Sequence, residues 1–177
     1  EAYFLDTTCV KLHIHFPVDW VLLRDAARTL MKATMLIRKR GLKVRMEEPA
    51  EFLKRMNQLC MKMTHARRKK DGKRARKAVL REMKKLSKII GAHAARHRKV
   101  LEQRWQETDL KPGEARQILE RIDLIVERLP HAIRQAHERI IGGRQLKNEE
   151  KILSLYEGHA AVYVRGKAGA EVEFGSQ

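Results

Sequence analysis

The chain opens on strict alternation. Val10, Leu12, Ile14 and Phe16 are interleaved with Lys11, His13 and His15, the period-two pattern of a half-buried strand, and apolar Tyr3, Phe4 and Leu5 precede it. Pro17 closes that strand. From Asp19, which stands where a helix N-cap belongs, the period lengthens: Val21, Leu22, Ala26, Leu30, Met31 and Ala33 recur at helical spacing until Gly41. A second helix is predicted from about Pro49, with Phe52, Leu53, Met56, Leu59, Cys60 and Met63 as its apolar stripe. After the turn "KKDGK" (69–73), a long third helix carries Val79, Leu80, Met83, Leu86, Ile90, Ala94, His97, Leu101 and Trp105. A fourth follows "TDLKPGEA", where Thr108 or Asp109 can cap, and buries Ala115, Ile118, Leu119, Ile122, Ile125 and Leu129. Pro130 should bend or restart it, and Gly142 and Gly143 should stop it.

Beyond those glycines the pattern changes again. A short amphipathic piece, "EEKILSLYE", leads to "AAVYVRG" and "AGAEVEFG", two alternating segments joined by Gly166, Lys167, Ala168 and Gly169 that read as a β-hairpin. A lone hairpin is marginal in water, and so is a lone strand. The expected fold is therefore α+β and mostly helical. One sheet takes an N-terminal strand (1–16) and a C-terminal hairpin (151–177), with residues 17–150 as a long helical insertion.

A chain of 177 residues with 43% apolar content can bury one core, while 34% charged residues require wide solvated faces. No apolar run of about 18 residues is present to span a bilayer, and no charged-then-apolar leader precedes the strand, so a cytoplasmic location is expected. Cys9 and Cys60 are too few and too far apart for a disulfide framework and read as small core residues.

The net charge of +17 is concentrated rather than spread. Residues 62–104 hold 17 Lys or Arg against 3 Asp or Glu, whereas the remainder holds 22 against 19. Within "HARRKKDGKRARKAVLREMKK", the candidate DNA-binding residues are Arg67, Arg68, Lys69, Lys70, Lys73, Arg74, Arg76, Lys77, Arg81, Lys84 and Lys85. Such a run suits phosphate contacts, whose counterion release makes binding strong and salt-sensitive. No aromatic side chain in the run can stack on bases, which favours double-stranded DNA contacted at its backbone over single strands. The competing reading of any charge run is a solvated helix face.

Other constellations are weak. His13 and His15 share a strand face without further ligands at a recognisable spacing. His93 and His97, in "HAARH", lack the glutamate of the zinc-protease helix and suit phosphate or solvent contact. Glu171 and Glu173 fit a solvated hairpin edge. Asp6, at the end of an apolar strand, is the carboxylate best placed to hold a divalent ion near a transferring phosphate.

Two separated segments carry a resemblance. "FLDTTCVKLHIHFPVDWVLLRDAARTL" and "NEEKILSLYEGHAAVYVRGKAGAEVEFG" are similar to two landmarks, in the same order, of bacterial insertion-sequence transposases of the DDE type, with the ISNCY-type group nearest in wording. Gly158 stands where that family usually has proline, and Val18-Asp19-Trp20 replaces a commoner Thr-Asp-Ser. The resemblance implies an RNase H-like catalytic domain, DNA cleavage and strand transfer in transposition, Mg²⁺ or Mn²⁺ as cofactor, and self-association on DNA in a bacterial nucleoid. It assigns Asp6 as the first acid of the triad. It also implies that the second aspartate and the glutamate lie beyond the hairpin, so the chain is expected to be a fragment that is inactive alone. The alternative is a non-enzymatic, basic helical protein that binds nucleic acid.

Overall fold

The computed structural model describes residues 19–66, 68, 70–147, 150–157, 160–163 and 173–176. Four helices account for most of them: α1 (Asp19–Lys39), α2 (Pro49–Ala66), α3 (Gly72–Arg104) and α4 (Pro112–Ile140), with a single 3-10 turn, Trp105–Glu107, between the last two. Each forms where its apolar residues recur at helical spacing, and each points that stripe at the same centre. Leu23, Leu30, Met31 and Ile37 of α1 meet Met56 and Met63 of α2, Leu80, Met83, Ile90 and Leu101 of α3, and Ile122 and Ile125 of α4 in one fully buried cluster. Helix α1 packs against all three others. Helix α3 likewise touches α1, α2 and α4.

This corrects the expected architecture. The described residues do not form a partial RNase H-like sheet with the helices as its insertion. The helices close their apolar faces on one another and need no sheet to cover them. The two strands described, β1 (Ala160–Tyr163) and β2 (Glu173–Ser176), are four residues each and pair antiparallel with one another, Ala160 opposite Ser176 and Tyr163 opposite Glu173. The N-terminal strand, with Asp6, Cys9, His13 and His15, lies outside the described residues, as does the connection between β1 and β2. Whether residues 3–14 pair with the hairpin therefore also lies outside them.

The helix ends depart from expectation in instructive ways. Neither Thr108 nor Asp109 caps α4. Lys111 occupies that position, Pro112 fills the first turn, and the Glu114 carboxylate accepts the Lys111 N–H at 2.9 Å. Thr108 instead donates to the Trp105 carbonyl at 2.6 Å and accepts from the Leu110 N–H at 3.2 Å, which turns the chain. Asp109 pairs with Arg40 at the end of α1. Pro130 does not restart α4; the helix runs through it, with the ring on the exposed side. The glycine stop is as expected: Gly143 has φ 71°, in the left-handed region, and the Arg144 N–H returns to the Glu138 carbonyl at 3.0 Å.

One buried polar network ties the ends of the bundle together. Asp19 is 4% exposed, and its carboxylate accepts from Gln135 Nε2 at 3.0 Å and Arg139 Nη1 at 2.8 Å. Gln135 also takes hold of Ile152, donating to its carbonyl at 3.1 Å and accepting its N–H at 2.7 Å. A side-chain amide thus does for an extended backbone what a neighbouring strand would do. Around it Leu153 and Leu155 are buried, and Arg128 donates to the Leu155 carbonyl at 2.9 Å.

Replacing Gln135 by Leu leaves both backbone groups of Ile152 and part of the Asp19 carboxylate unsatisfied, at a cost of about 2–3 kcal/mol. A lower urea midpoint and faster hydrogen exchange at the Ile152 amide are expected. Unchanged exchange there would show that Gln135 does not hold the segment.

His97 gives the core a pH dependence. It is fully buried, its Nδ1–H donates to the His93 carbonyl at 2.9 Å, and its Nε2 has no partner. Burial pushes its pKa below 6.5, with Arg38 and Arg96 adding in the same direction against the opposing effect of the His93 carbonyl. The unfolded chain therefore binds a proton more readily than the native one. Stability is full above the unfolded pKa near 6.5 and falls as pH drops below it, until the folded pKa is reached. Denaturation midpoints measured between neutral and mildly acidic pH should fall, and His97→Leu should flatten that fall. An identical slope in the variant would assign the effect elsewhere.

Candidate nucleic-acid interface

The basic segment begins at the turn between α2 and α3 and continues along the first half of α3. On a helix of 3.6 residues per turn, Leu80, Met83, Leu86, Ser87, Ile90 and Ala94 face the core, which turns Arg74, Arg81, Lys85 and Lys88 outward with the exposed acid Glu82 among them, and sets exposed Lys73 and half-buried Lys77 and Lys84 along the flanks. From Lys73 to Lys88 this face extends about 22 Å at 1.5 Å per residue. Arg68 and Lys70 continue it into the turn and are exposed. Arg76 does not belong to it: it is half-buried on the inner side, and its Nε is enclosed without a partner. Arg67 and Lys69 lie outside the described residues.

Ion pairing separates this face from the C-terminal part of the same helix. Among the described residues, salt bridges join Arg24 to Asp25, Arg38 to Glu48, Arg55 to Glu47, Arg116 to Glu120 and Arg144 to Glu138 and Glu150. None involves a residue between Lys62 and His97. The boundary within α3 is sharp. Arg98 forms a two-point pair with Asp123 of α4, Nε–Oδ1 at 2.8 Å and Nη2–Oδ2 at 3.0 Å, and also meets Glu102. Arg104 pairs with Glu107. The footprint is accordingly shorter than the charge count over 62–104 suggests, ending near Lys88.

The first turn of α3 holds no acid, and Asp71 makes no side-chain cap. Cations there oppose the helix dipole, whose positive end favours anions, so the local sequence destabilises the helix start unless an outside anion approaches. That feature is a cost to folding, and it leaves the helix start open to an anion.

Lys88 continues the stripe at four residues beyond Lys84, and that spacing alone could have identified it in the sequence. Helix α4 adds what no spacing could show. Lys84 Nζ donates to His137 Nδ1 at 2.9 Å, and Arg134 lies across the same inter-helix groove. The other histidines fit differently from the reading of "HAARH" as phosphate contacts. His97 is core, and His93 rests against the Phe52 ring at 5.4 Å between centroids, with Arg96 donating to its Nδ1 at 3.1 Å. Cys60 is a core residue, its thiol pushed up to about 11 by burial and therefore protonated.

Among the described residues no three His, Cys, Asp or Glu side chains converge as a metal would require, and Asp6 lies outside them. No described helix is long and apolar enough to cross a membrane. Glu171 is outside the described residues.

The arrangement can neutralise a line of phosphates. Each phosphate contact contributes about −0.9 to the slope of log affinity against log salt. With five or six contacts the slope on duplex DNA is expected near −5. Alanine at Lys77, Arg81, Lys84 and Lys88 together should cut it by about 3.6, whereas Arg76→Ala should leave it unchanged. Equal losses per charge removed would mean that net charge, not the outward face, determines binding.

Neither a protein-family model, nor a curated protein, nor a solved structure matches the chain.

Proposed function

We propose that the helical body binds the backbone of double-stranded DNA through the outward face of α3, as the DNA-gripping part of a DDE-type transposase. The observation that carries the DNA reading is the density of cations along α3 from Lys73 to Lys88, none of which is held by a carboxylate among the described residues, whereas Arg98 and Arg104 further along the same helix are. Only Asp71 and Glu82 interrupt the cations between Lys70 and Lys88, and like charges packed along one helix face repel, a cost that a face kept only for solubility has no reason to carry. Backbone contact without base contact gives affinity without sequence preference. The absence of aromatics on this face favours duplex over single strands.

The transposase part of the proposal is supported by the resemblance of the two flanking segments. That resemblance gives Asp6 the part of one metal-holding acid, and the described residues offer no cluster that would complete the site. No chemical step is therefore assigned to the residues in hand. What the chain contributes is phosphate binding and positioning, and the metal would supply charge stabilisation at a transferring phosphate when the full set of acids is present. The non-enzymatic alternative shares the same DNA-binding face and differs only in this.

Two measurements test the two parts separately. Affinities for unrelated duplexes of equal length should agree within about threefold and exceed those for single strands; a strong preference for one sequence would contradict backbone reading. Incubated with supercoiled DNA and Mg²⁺ or Mn²⁺, this chain should bind without nicking. Cleavage lost in Asp6→Asn would show a complete catalytic site and overturn the assignment of phosphate binding without chemistry.

A further inference from the structure

A groove of about 520 Å³ runs between α3 and α4, beside the basic face. Its floor is apolar, made of Val126, Leu129, Pro130 and Ile133 of α4 with Gly91 of α3. Its rim is Lys84 and Lys88 on one side and Arg134 and His137 on the other, and no carboxylate lines it. We propose that this groove docks an amphipathic helix of a partner protein, one with acidic residues flanking its apolar stripe.

Three features point to that occupant. The α4 positions 126, 130, 133 and 137 fall on one line at helical spacing and extend about 16 Å, three turns, so they present a ridge that another helix can pack along. Gly91 keeps the two helices close at the floor: a Cβ there would come within 3.3 Å of Leu129 Cδ2. A glycine in mid-helix costs about 1 kcal/mol relative to alanine, and this close approach accounts for its presence. Helix α3 and helix α4 satisfy their own backbone ladders, so an extended peptide would find few backbone partners in the groove, whereas a helix brings its own. Pro130 is the exception, since it has no N–H to offer the Val126 carbonyl and leaves that acceptor for a donor on the partner. Charge complementarity selects the partner's flanks. A basic helix would meet four like-charged or proton-accepting side chains, and an acidic one would meet their opposites.

The groove shares Lys84 and Lys88 with the basic face, so docking is measured without DNA and through variants on the α4 side alone. The probe is a fluorescein-labelled synthetic helical peptide with Leu at i, i+3, i+7 and i+10 and Glu at the flanking positions. Its controls are a scrambled peptide of the same composition and one with Lys in place of Glu. Fluorescence anisotropy with the purified chain should show binding of the first peptide at least tenfold tighter than either control. Pro130→Glu, which places a carboxylate on the floor while improving helix propensity, should weaken it at least tenfold. Val126→Gln, which keeps the charge unchanged, should weaken it severalfold, and both variants should keep duplex affinity within twofold. Equal binding of the scrambled peptide would mean attraction to the basic face alone and would overturn the proposal. So would binding that neither variant reduces. Vesicles containing phosphatidylglycerol serve as a further arm. Vesicle binding sensitive to both variants, with no peptide binding, would assign the groove to lipid instead.

Discussion

Helix α1 sets the terms for the rest of the molecule because about half of its circumference is buried. Leu22, Leu23, Ala26, Ala27, Leu30, Met31, Ala33 and Ile37 do not form a narrow stripe but a wide arc, which one neighbour cannot cover. Three helices are needed, and α2, α3 and α4 supply them. The alanines on the arc let those neighbours approach closely, and Thr34 stays buried by donating to the Leu30 carbonyl at 2.9 Å. Once α1 is enclosed, each surrounding helix has only its inner stripe committed. The outward half of α3 is then available for charge, and it is there that the sequence places its cations.

The local level of this fold was legible and the global level was not. Helix positions follow from apolar spacing within tens of residues, and the four helices begin and end close to where the stripes do. The sheet inference failed because it treated the helices as needing a host. Helices of 18 to 33 residues with this much apolar surface host one another. "EEKILSLYE" reads as a short amphipathic piece, and beyond Glu150 its described part forms neither helix nor strand. Ser154 Oγ accepts the N–H groups of Tyr156 and Glu157 at 3.1 and 3.2 Å, an alternative to the helical ladder, and Gln135 takes both backbone groups of Ile152. Asp19 looked like a simple cap. Its partners Gln135 and Arg139 stand 116 and 120 positions away, and nothing near Asp19 announces them.

The site shows the same division. The charge run was visible in the sequence. Which of its cations point outward depends on the phase of α3, and that phase is fixed by Leu80, Met83 and Ile90, not by the basic residues themselves. Arg76 is the instructive case. It carries the same charge as its neighbours and sits in the middle of the run, but the phase turns it inward and encloses its Nε. Composition put it in the interface, and helix geometry takes it out.

Charge also has to be judged by what answers it. Arg98 and Arg104 lie in the same basic run as Lys77 and Arg81, yet carboxylates on α4 and on α3 itself already hold Arg98, and Glu107 holds Arg104. Hydrogen bonding to Asp123 raises the Arg98 pKa, and the same kind of bond from Arg104 lowers that of Glu107. An exposed pair of this kind adds little stability, but it removes a cation from the field seen by a polyanion. Between Lys73 and Lys88 the outward face carries one acid, Glu82, and among the described residues no carboxylate pairs with its cations. The remaining repulsion is relieved by counterions or by an outside anion, and replacing condensed counterions with one rigid row of phosphates is the exchange that makes such binding depend steeply on salt.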